Sequence, residues 1–436
     1  MRHALNGKKV LVTGGTGLIG GRVAEKLVQE CNAGVRILLR NFARALRVAR
    51  YPVELAYGDL TEIDQVSRAA EGCDIVVHCA YGNSGDEAVR RSVNVLGTKN
   101  ALEAALRARV KRFVHISTMQ VYGPLPDGDI DESVPRRYFG HAYSDSKLEA
   151  EELVLEYARQ HGLPAVILQP TIVYGPYSLI WTVNLLSSLR KQRHILVDGG
   201  FGFCNAVYVD DVADSILLAA VRDEAVGESF MISAEHPVTW RDFYAGYERM
   251  LGFSGTIPMP AEEAKAYEAT AGMGTSLIRE TLSILRKDPL LRQRLLNTRE
   301  VAFFKEVAAA LLPENVHQSL KRRIKGENGN KPMADGDRSL KTVKVEARQI
   351  RPLRFPMDVR YYQARARIRI DKAKRLLGYE PSFDLAAGMK CTQQWAAWAN
   401  LLDSGPVAAD SVEDRSRVVM PIFSEPQLEM NPGSRR

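Results

Sequence analysis

Short apolar runs alternate with amphipathic stretches over the N-terminal part of the chain. The apolar runs are rich in Val and Ile with little polar alternation, which is typical of strands buried on both faces of a parallel sheet. They are Lys9–Thr13, Val35–Leu39, Val53–Tyr57, Ile75–Cys79, Arg112–Ser117 and Ala165–Leu168. The helical patterns between them are Gly20–Glu30, Asp64–Ala70, Glu87–Ala108 and Ala142–His161. This alternation predicts an α/β fold with a doubly wound parallel sheet.

The alternation loosens after residue 176, which predicts a second and smaller unit. We expect residues 1–176 to form the doubly wound domain, with 206–221 returning to it, and residues 177–402 to form a smaller C-terminal domain. That domain carries an insertion at about 255–350 with a largely helical pattern. The tail at 403–436 is rich in Ser, Pro, Asp and Glu, and we expect it to be disordered.

Charge is concentrated in one stretch of the chain. The 436 residues carry a net charge of +7, and residues 321–360 hold twelve Lys/Arg against five Asp/Glu. A solvated insertion explains this stretch most simply, and a contact surface for phosphate groups, anionic lipid or a partner is the alternative. No nucleic-acid-binding module accompanies the charge, so we do not expect nucleic acid as a partner.

The cysteines and the apolar runs exclude several protein classes. Five scattered cysteines without a CxxC pair predict neither a disulfide scaffold nor a thiolate zinc site, and we expect no metal. No apolar run approaches the roughly 18 residues of a membrane span. The chain reaches its first strand by Val10 without an apolar signal region. These features predict a cytoplasmic protein.

A glycine-rich segment joins the first predicted strand to the first predicted helix. Glycine permits a tight turn and a close approach of the backbone to a pyrophosphate, whose charge then lies at the helix N-terminus. A strand before and a helix after are the context that this motif requires. We therefore predict a dinucleotide site at Gly14, Thr16, Gly17, Leu18, Ile19 and Gly20.

The end of the second strand indicates which dinucleotide binds. An acidic residue there favours a free ribose 2′-hydroxyl, whereas an arginine favours a 2′-phosphate. This chain has Arg40, with Arg36 and Arg44 nearby and no acid. We predict NADP(H) over NAD(H), with an ordinary surface arginine as the alternative.

Two further strand ends should contact the cofactor. Asp59 and Leu60 follow the third strand, where Asp59 could meet the adenine edge. Cys79 and Ala80 end the fourth strand and should pass beside the cofactor, whereas His78 is expected to pack inside the sheet.

A hydroxyl, a phenol and an ammonium complete the predicted site. Thr118 follows the fifth strand, at the carboxyl edge where open α/β folds bind ligands. Tyr143 and Lys147 lie four residues apart on one face of a helix. A lysine cation favours the phenolate and lowers the pKa of tyrosine toward the working range.

With these motifs the chain resembles the extended short-chain dehydrogenases/reductases, which include nucleotide-sugar epimerases, dehydratases and reductases. The resemblance covers about residues 8–252 and 361–395. Besides the glycine-rich turn, the matching segments are Gly58–Leu60, Asn94–Thr98, Ser117–Gly123, Tyr143–Lys147, Pro170–Pro176, Val207–Val212 and Asp371–Pro381.

The resemblance implies roles for individual residues. Thr118, Tyr143 and Lys147 would form the catalytic triad: Tyr143 would move the hydroxyl proton, Lys147 would hold the ribose and tune Tyr143, and Thr118 would bind the reacting oxygen. The residues bordering the nicotinamide would be Pro170, Ile172 and Val173. Many relatives form dimers through the helices that correspond to Glu87–Ala108 and Ala142–His161, so a homodimer is a further expectation.

Departures from the family pattern narrow the chemistry. Sugar 4,6-dehydratases carry Asp-Glu directly after the catalytic Thr, where this chain has Met119 and Gln120, which cannot do acid–base work at neutral pH. Gln169 replaces the usual Arg before Pro170. Phe203–Ala206 lacks the Arg that often grips a nucleotide diphosphate.

We therefore expect an NADP(H)-dependent oxidoreductase that moves hydride between the nicotinamide and a secondary alcohol or ketone. The alternatives are a nucleotide-sugar epimerase that retains its cofactor and a non-catalytic cofactor-binding scaffold. We expect the substrate to be a small molecule, bulky or sugar-derived. The apolar positions of 261–325 predict a helical lid over its pocket; alternatively, this apolar face packs on a second subunit or lies on a membrane surface. Candidate substrate contacts are Tyr81, Asn83, Trp181 and Asn205.

Overall fold

Seven parallel strands form the central sheet of the protein. The structure is a computed structural model, and it describes residues 2–82, 87–191, 194–267 and 358–402. The strands of the sheet are β1 (Lys9–Thr13), β2 (Gly34–Leu39), β3 (Val53–Tyr57), β4 (Ile75–His78), β5 (Arg112–Ile116), β7 (Ala165–Pro170) and β12 (Ser229–Ile232). Their order across the sheet is β12-β7-β5-β4-β1-β2-β3. The chain order reverses between β1 and β4, which is where doubly wound sheets bind ligands.

Helices cover both faces of this sheet. On one face lie α2 (Leu18–Gln29) and α7 (Val209–Ala219), joined to each other by ion pairs of Arg22 with Asp210 and of Lys26 with Asp214. On the other face lie α3 (Ile63–Ala70), α4 (Glu87–Ala108) and α5 (Ala142–His161). Because side chains of a strand alternate between faces, Val10 and Val12 pack under α2 while Leu11 packs on the other side.

A second hydrophobic core lies beside the sheet. It gathers aromatic residues of α8 (Trp240–Leu251) with residues of α6 (Leu185–Arg190) and of the C-terminal helices α9 (Val359–Gln363) and α10 (Leu385–Trp398). Besides the central sheet, the described residues form four two-stranded sheets. They pair β8 (Ile172–Tyr174) with β11 (Ala206–Tyr208), β9 (His194–Val197) with β14 (Thr256–Met259), β10 (Phe203–Cys204) with β13 (Val238–Thr239), and β6 (Gly128–Ile130) with β15 (Ala366–Ile368).

The predicted α/β fold with a doubly wound parallel sheet is confirmed, and six of its strands lie within two residues of their predicted bounds. Residues 206–221 hold β11 and α7, and α7 packs against α2. The division at residue 176, with 206–221 returning to the first domain, stays a prediction. Of the insertion, only residues up to 267 are described, so most of the predicted lid at 261–325, most of the basic stretch and the tail at 403–436 lie outside the described residues.

Two findings bear on the expected protein class. All five cysteines lie in the described ranges, and each is a free thiol. Among the helices that the structure describes, none is both long enough and apolar enough to cross a membrane.

Candidate active site

The glycine-rich turn between β1 and α2 packs against the end of β4. Gly14 has a φ of +68°, and a Cβ on it would lie 2.6 Å from the backbone nitrogen of Ala80. A Cβ on Gly20 would lie 2.5 Å from the carbonyl oxygen of Gly14. Only glycine permits these approaches. Since Gly17 at the start of α2 provides no side-chain cap, the turn fits the pyrophosphate of a dinucleotide, which would accept from the first N–H groups of the helix.

An arginine that the sequence did not single out supports this turn. Arg47 donates to the carbonyl oxygen of Leu18 at 3.2 Å and to both carboxylate oxygens of Glu25, at 2.8 and 3.0 Å. Its guanidinium also lies over the ring of Tyr177, 4.1 Å from the ring centre. Burial acts to raise the pKa of Glu25, but the hydrogen bonds from Arg47 and Arg22 lower it on balance. Arg47 therefore stabilises the turn and the start of α2.

Arg40, the residue predicted to select the cofactor, lies exposed after β2. Its Nη1 donates to Oδ2 of Asp59 at 3.1 Å, so the two predicted cofactor residues are neighbours. Burial acts to raise the pKa of Asp59, but hydrogen bonds from Thr61 and Arg40 lower it on balance, and Asp59 is a carboxylate. Arg36 points elsewhere, because it donates to two carbonyl oxygens near the end of α3 and pairs with Glu54. Arg40 is thus better placed than Arg36 to meet a 2′-phosphate.

The three predicted catalytic residues come together where β5 ends. Thr118 caps a short 3₁₀ turn, where its hydroxyl accepts from the backbone N–H of Gln120 at 3.3 Å, and it lies close to the phenol of Tyr143, the second residue of α5. Lys147 lies one turn further along α5. It is buried, and its Nζ donates to the carbonyl oxygen of Ile116 at 2.5 Å. A strand end and one helix face therefore hold a hydroxyl, a phenol and an ammonium in one cluster.

Burial shifts both titrating groups of this cluster. It raises the pKa of Tyr143 to about 12, with Tyr81 adding to the shift and the nearby Thr118 hydroxyl opposing it. The expected lowering of this pKa by Lys147 is therefore not found in the protein without cofactor, because burial outweighs it. Burial also lowers the pKa of Lys147 to about 8, against the opposing influence of Glu151 and Cys79. At neutral pH, Tyr143 therefore carries its proton and Lys147 is mostly a cation. This state suits Tyr143 as a proton donor.

A buried carboxylate lies behind the lysine. Glu151 is fully buried one turn beyond Lys147, and both of its oxygens accept from Nε2 of Gln169, at 2.9 and 3.0 Å. Arg136 donates to it at 2.7 Å, and the hydroxyl of Tyr122 donates to Gln169 at 2.8 Å. Gln169, which departs from the family pattern, therefore holds Glu151 with its amide, and Arg136 supplies the positive charge.

Two stacked histidines lie under the cluster. The ring of His78 bonds the hydroxyls of Thr13 at 2.8 Å and Thr98 at 3.1 Å, and it stacks on His115 with ring centres 5.5 Å apart. Both ring nitrogens of His115 are buried and have no hydrogen-bond partner in the described part of the chain. Burial lowers the pKa of His78 to about 3, with the charge of Lys147 adding to the shift, and lowers that of His115 far below its usual value. Both rings are neutral, and the prediction that His78 packs in the sheet is confirmed.

We expect His115→Leu to weaken the acid dependence of stability. The unfolded state takes up the His115 proton below a pH of about 6.5 while the folded state does not, so stability is present above that pH and is lost as the pH falls. Between pH 6 and 5 the slope of the unfolding free energy should decrease by up to about 1.4 kcal/mol per pH unit relative to wild type. Urea unfolding at several pH values measures this slope.

The control is His236→Leu, since His236 is exposed. Its ring meets water in the folded and unfolded states alike, so the slope should stay that of the wild type. An unchanged slope in His115→Leu would mean that the buried ring is already protonated in the folded protein.

The remaining predicted cofactor residues differ in burial and in what they contact. Leu60 is buried and its carbonyl oxygen accepts from Asn100 at 2.8 Å, whereas Thr16 is half-buried in the turn. Leu18 packs on the second core and Ile19 on the core under α2. The others lie at the carboxyl ends of β4 and β7 or just after them: Cys79, Ala80, Pro170, Ile172 and Val173.

A pocket opens from Thr118 toward the second core. Its cavity is about 70 Å³, and its walls include Gln120, Ile172, Trp181, Phe203, Trp240 and Tyr361. Trp181 was predicted as a substrate contact, whereas Trp240 and Tyr361 were not. No motif marks Tyr361, and only its pairing with the segment around Phe203 brings it here.

The other three predicted substrate contacts have different outcomes. Asn205 lines the pocket, but its side chain is bonded to the backbone of Ala366 at 2.9 Å and of Ile368 at 3.2 Å. The ring of Tyr81 meets that of Tyr143 edge-on, with centres 5.4 Å apart. Asn83 lies outside the described residues.

The comparison with protein families identifies the chain. Residues 10–233 match the model of the NAD-dependent epimerase/dehydratase family. The chain belongs to this family. It is an NAD(P)-dependent oxidoreductase or epimerase of the extended short-chain dehydrogenase/reductase type.

Relatives of this family member differ in their reactions. A 4-hydroxy-2-methyl-3-oxo-4-farnesyl-3,4-dihydroquinoline-1-oxide ketoreductase from Stigmatella aurantiaca is 32% identical over 65% of this chain and 84% of its own length. The human dTDP-D-glucose 4,6-dehydratase is 32% identical over 48% of this chain and 65% of its own length. The solved structure of an epimerase from Methanothermobacter thermautotrophicus shares the fold, with a TM-score of 0.62, 19% identity, and coverage of 92% of this chain and 96% of that one.

Proposed function

We propose that the protein is an NADP(H)-dependent ketoreductase, which moves hydride between the nicotinamide and a secondary alcohol or ketone. The observation that carries this proposal is the cluster of Thr118, Tyr143 and Lys147 beside the glycine-rich turn. An intact cluster of this kind argues against a non-catalytic scaffold, for which these residues would have no use.

The chain's own residues supply the proton that the carbonyl oxygen takes up during reduction. When bound, the cofactor supplies or accepts hydride at nicotinamide C4. As the new C–H bond forms on the carbonyl carbon, the electron pair of the C=O π bond moves to the oxygen, which takes the proton of Tyr143. Thr118 donates to the same oxygen, and the cation of Lys147 stabilises the phenolate that is left on Tyr143 until solvent returns a proton. The product is a secondary alcohol.

Two residues beside Thr118 favour reduction over dehydration. Met119 and Gln120 line the pocket where an acid and a base would be needed to eliminate water. The Stigmatella relative is named as a ketoreductase and is matched over most of its length, which supports the same choice. A nucleotide-sugar epimerase with retained cofactor is the rival. It would show no net oxidation of NADPH, whereas a ketoreductase consumes one NADPH for each ketone reduced.

We expect NADPH to bind about 10- to 150-fold more tightly than NADH, the range of a charge-assisted contact of roughly 1.5–3 kcal/mol between Arg40 and the 2′-phosphate. Arg40→Ala should remove most of this preference, because it weakens NADPH binding and leaves NADH binding nearly unchanged. Titration of nicotinamide fluorescence measures both affinities.

The matched control for Arg40 is Arg107→Ala. Arg107 is 53% exposed and pairs with Glu103 at 3.0 Å, while Arg40 is 54% exposed and pairs with Asp59 at 3.1 Å. Arg107→Ala should retain the full preference. Equal affinities of the wild type for the two cofactors, or tighter binding of NADH, would refute the assignment of NADP(H).

Assembly and location complete the proposal. A homodimer through α4 and α5 and a cytoplasmic location are both predictions from the sequence and the family resemblance. Sedimentation of the purified protein would test the first, because a dimer has twice the chain mass of 48.5 kDa.

A further inference from the structure

The pocket beyond Thr118 is uncharged in the part of the chain that the structure describes. Its described walls contain aromatic, aliphatic and neutral polar side chains but no Asp, Glu, Lys, Arg or His. Arg365 lies over the ring of Phe203, 5.4 Å from the ring centre, but does not line the cavity. A nucleotide diphosphate needs charged or N–H donors in contact with its oxygens. These walls suit an uncharged and largely apolar molecule instead.

Most polar side chains in the pocket are already engaged. Both polar atoms of the Asn205 side chain are hydrogen-bonded to the backbone of β15. The hydroxyl of Thr171 donates to the carbonyl oxygen of Ile232 at 3.3 Å. The hydroxyl of Thr118 accepts from the backbone N–H of Gln120 at 3.3 Å. Gln120 accepts from Ser144 at 3.4 Å. Each of these side chains therefore has at least one partner within the protein.

Tyr361 also lines the pocket. Its hydroxyl is buried and has no hydrogen-bond partner among the residues that the structure describes. A buried hydroxyl without a partner costs free energy, so a bound molecule that accepts its hydrogen bond gains from an interaction that the empty pocket lacks. Burial raises the pKa of Tyr361 to about 12, and the group is therefore a donor over the physiological range.

The backbone holds Tyr361 in place before any ligand binds. The indole nitrogen of Trp240 donates to the carbonyl oxygen of Tyr361 at 3.4 Å. The backbone N–H of Phe203 donates to the carbonyl oxygen of Ala364 at 2.8 Å. A Cβ on Gly202 would lie 2.1 Å from the carbonyl oxygen of Tyr362, so the two segments pack at backbone distance. A preorganised donor of this kind loses little conformational freedom on binding.

We propose that the pocket takes a ketone on an uncharged, largely apolar body, and that the Tyr361 hydroxyl donates a hydrogen bond to a second acceptor of that molecule. This inference rests on the proposed ketoreductase function and narrows its substrate class. Tyr361 is thus a specificity-determining residue, separate from the triad that performs the reaction.

The test compares two neutral ketones that differ in the second acceptor. Ethyl 2-oxocyclohexanecarboxylate carries an ester carbonyl beside the ketone, whereas 2-butylcyclohexanone carries only the alkyl chain. Dissociation constants are measured on the full-length protein saturated with NADP⁺, by quenching of tryptophan fluorescence from Trp181 and Trp240. Binding to this complex does not depend on turnover, so it tests the pocket even if the reaction is not reduction.

We expect Tyr361→Phe to weaken binding of the ester ketone about tenfold, as loss of one neutral hydrogen bond would do. The dissociation constant of 2-butylcyclohexanone should stay within about twofold of the wild-type value. The control is Tyr362→Phe, since the ring of Tyr362 packs on Trp240 in the second core, with centres 4.6 Å apart, and not in the pocket. It should leave both affinities unchanged. Equal losses for both ketones in Tyr361→Phe would overturn the role of its hydroxyl.

UDP-glucose, a nucleotide diphosphate sugar, is the third probe of the same complex. We expect it to bind at least tenfold more weakly than the ester ketone. Tighter binding of UDP-glucose, or binding of neither neutral ketone, would overturn the substrate class. If dTDP-4-keto-6-deoxyglucose oxidises NADPH and neither neutral ketone does, the substrate class is wrong but the ketoreductase function stands. If the protein converts UDP-glucose to its 4-epimer without net NADPH oxidation, the ketoreductase function itself is refuted.

Discussion

Replacing Tyr143 by phenylalanine is expected to lower turnover about 100-fold or more while cofactor affinity stays close to that of the wild type. The substitution removes the proton donor and keeps the ring, which packs edge-on against Tyr81. Lys147→Met should lower both turnover and cofactor affinity, because the lysine is expected to hold the ribose as well as to stabilise the phenolate. Steady-state kinetics and nicotinamide fluorescence separate the two effects.

Tyr157→Phe is the matched control for this result. Tyr157 lies on the same helix, about 21 Å from Tyr143 along the axis, and packs in the core under α4 and α5. It should retain nearly full turnover. Near-normal activity of Tyr143→Phe on a ketone that the wild type reduces would refute the triad.

Gly14→Ala is expected to lower NADPH affinity at least tenfold. The new methyl group would lie 2.6 to 2.8 Å from backbone atoms of Ala80 and Cys79, so either the turn or the end of β4 must move, and both border the predicted cofactor site. The left-handed conformation at φ +68° adds a strain of roughly 1–2 kcal/mol for any residue with a Cβ. Isothermal titration measures the affinity, and thermal unfolding measures the strain.

Gly72 separates these two effects. It has the same φ of +68°, but a Cβ on it would meet nothing within 4 Å. Gly72→Ala should therefore lose stability by the strain alone and bind NADPH as the wild type does. If Gly14→Ala binds NADPH as well as Gly72→Ala does, the turn at Gly14 does not hold the pyrophosphate.

The sequence predicts the central sheet well because its strands are buried on both faces. Each of β1, β4 and β7 contains three consecutive residues that are Val, Ile or Leu, and this pattern has few competing interpretations. The cofactor turn and the triad could be located for a related reason. Each lies at a strand end or a helix start, so local sequence decides its position.

The substrate side could not be predicted in the same way. Tyr361 reaches the pocket only because its segment pairs with Phe203 and Asn205, more than 150 residues earlier in the chain. Strands of two or three residues, such as β10 and β15, are too short to show periodicity. The sequence pattern did not predict helix α10, because its apolar residues are not confined to one face. Only a few of its side chains, such as Met389 and Ala396, are buried in the second core.

Gln169 shows a different limit. In the sequence it is only a departure from an Arg that relatives carry. In the structure its amide bonds Glu151 and Tyr122, and Arg136 comes from another segment to balance the carboxylate. Gln169 and Arg136 lie 33 positions apart, so no local pattern connects them.

Transfer of deuterium tests the central claim most directly. The full-length protein would be incubated with NADPH deuterated at both C4 positions of the nicotinamide and with ethyl 2-oxocyclohexanecarboxylate, and the product would be analysed by mass spectrometry. The account predicts a secondary alcohol one mass unit heavier than the unlabelled product, with one NADPH consumed for each alcohol formed and about 100-fold less product from Tyr143→Phe. Alcohol without deuterium, or equal labelled product from wild type and Tyr143→Phe, would contradict it.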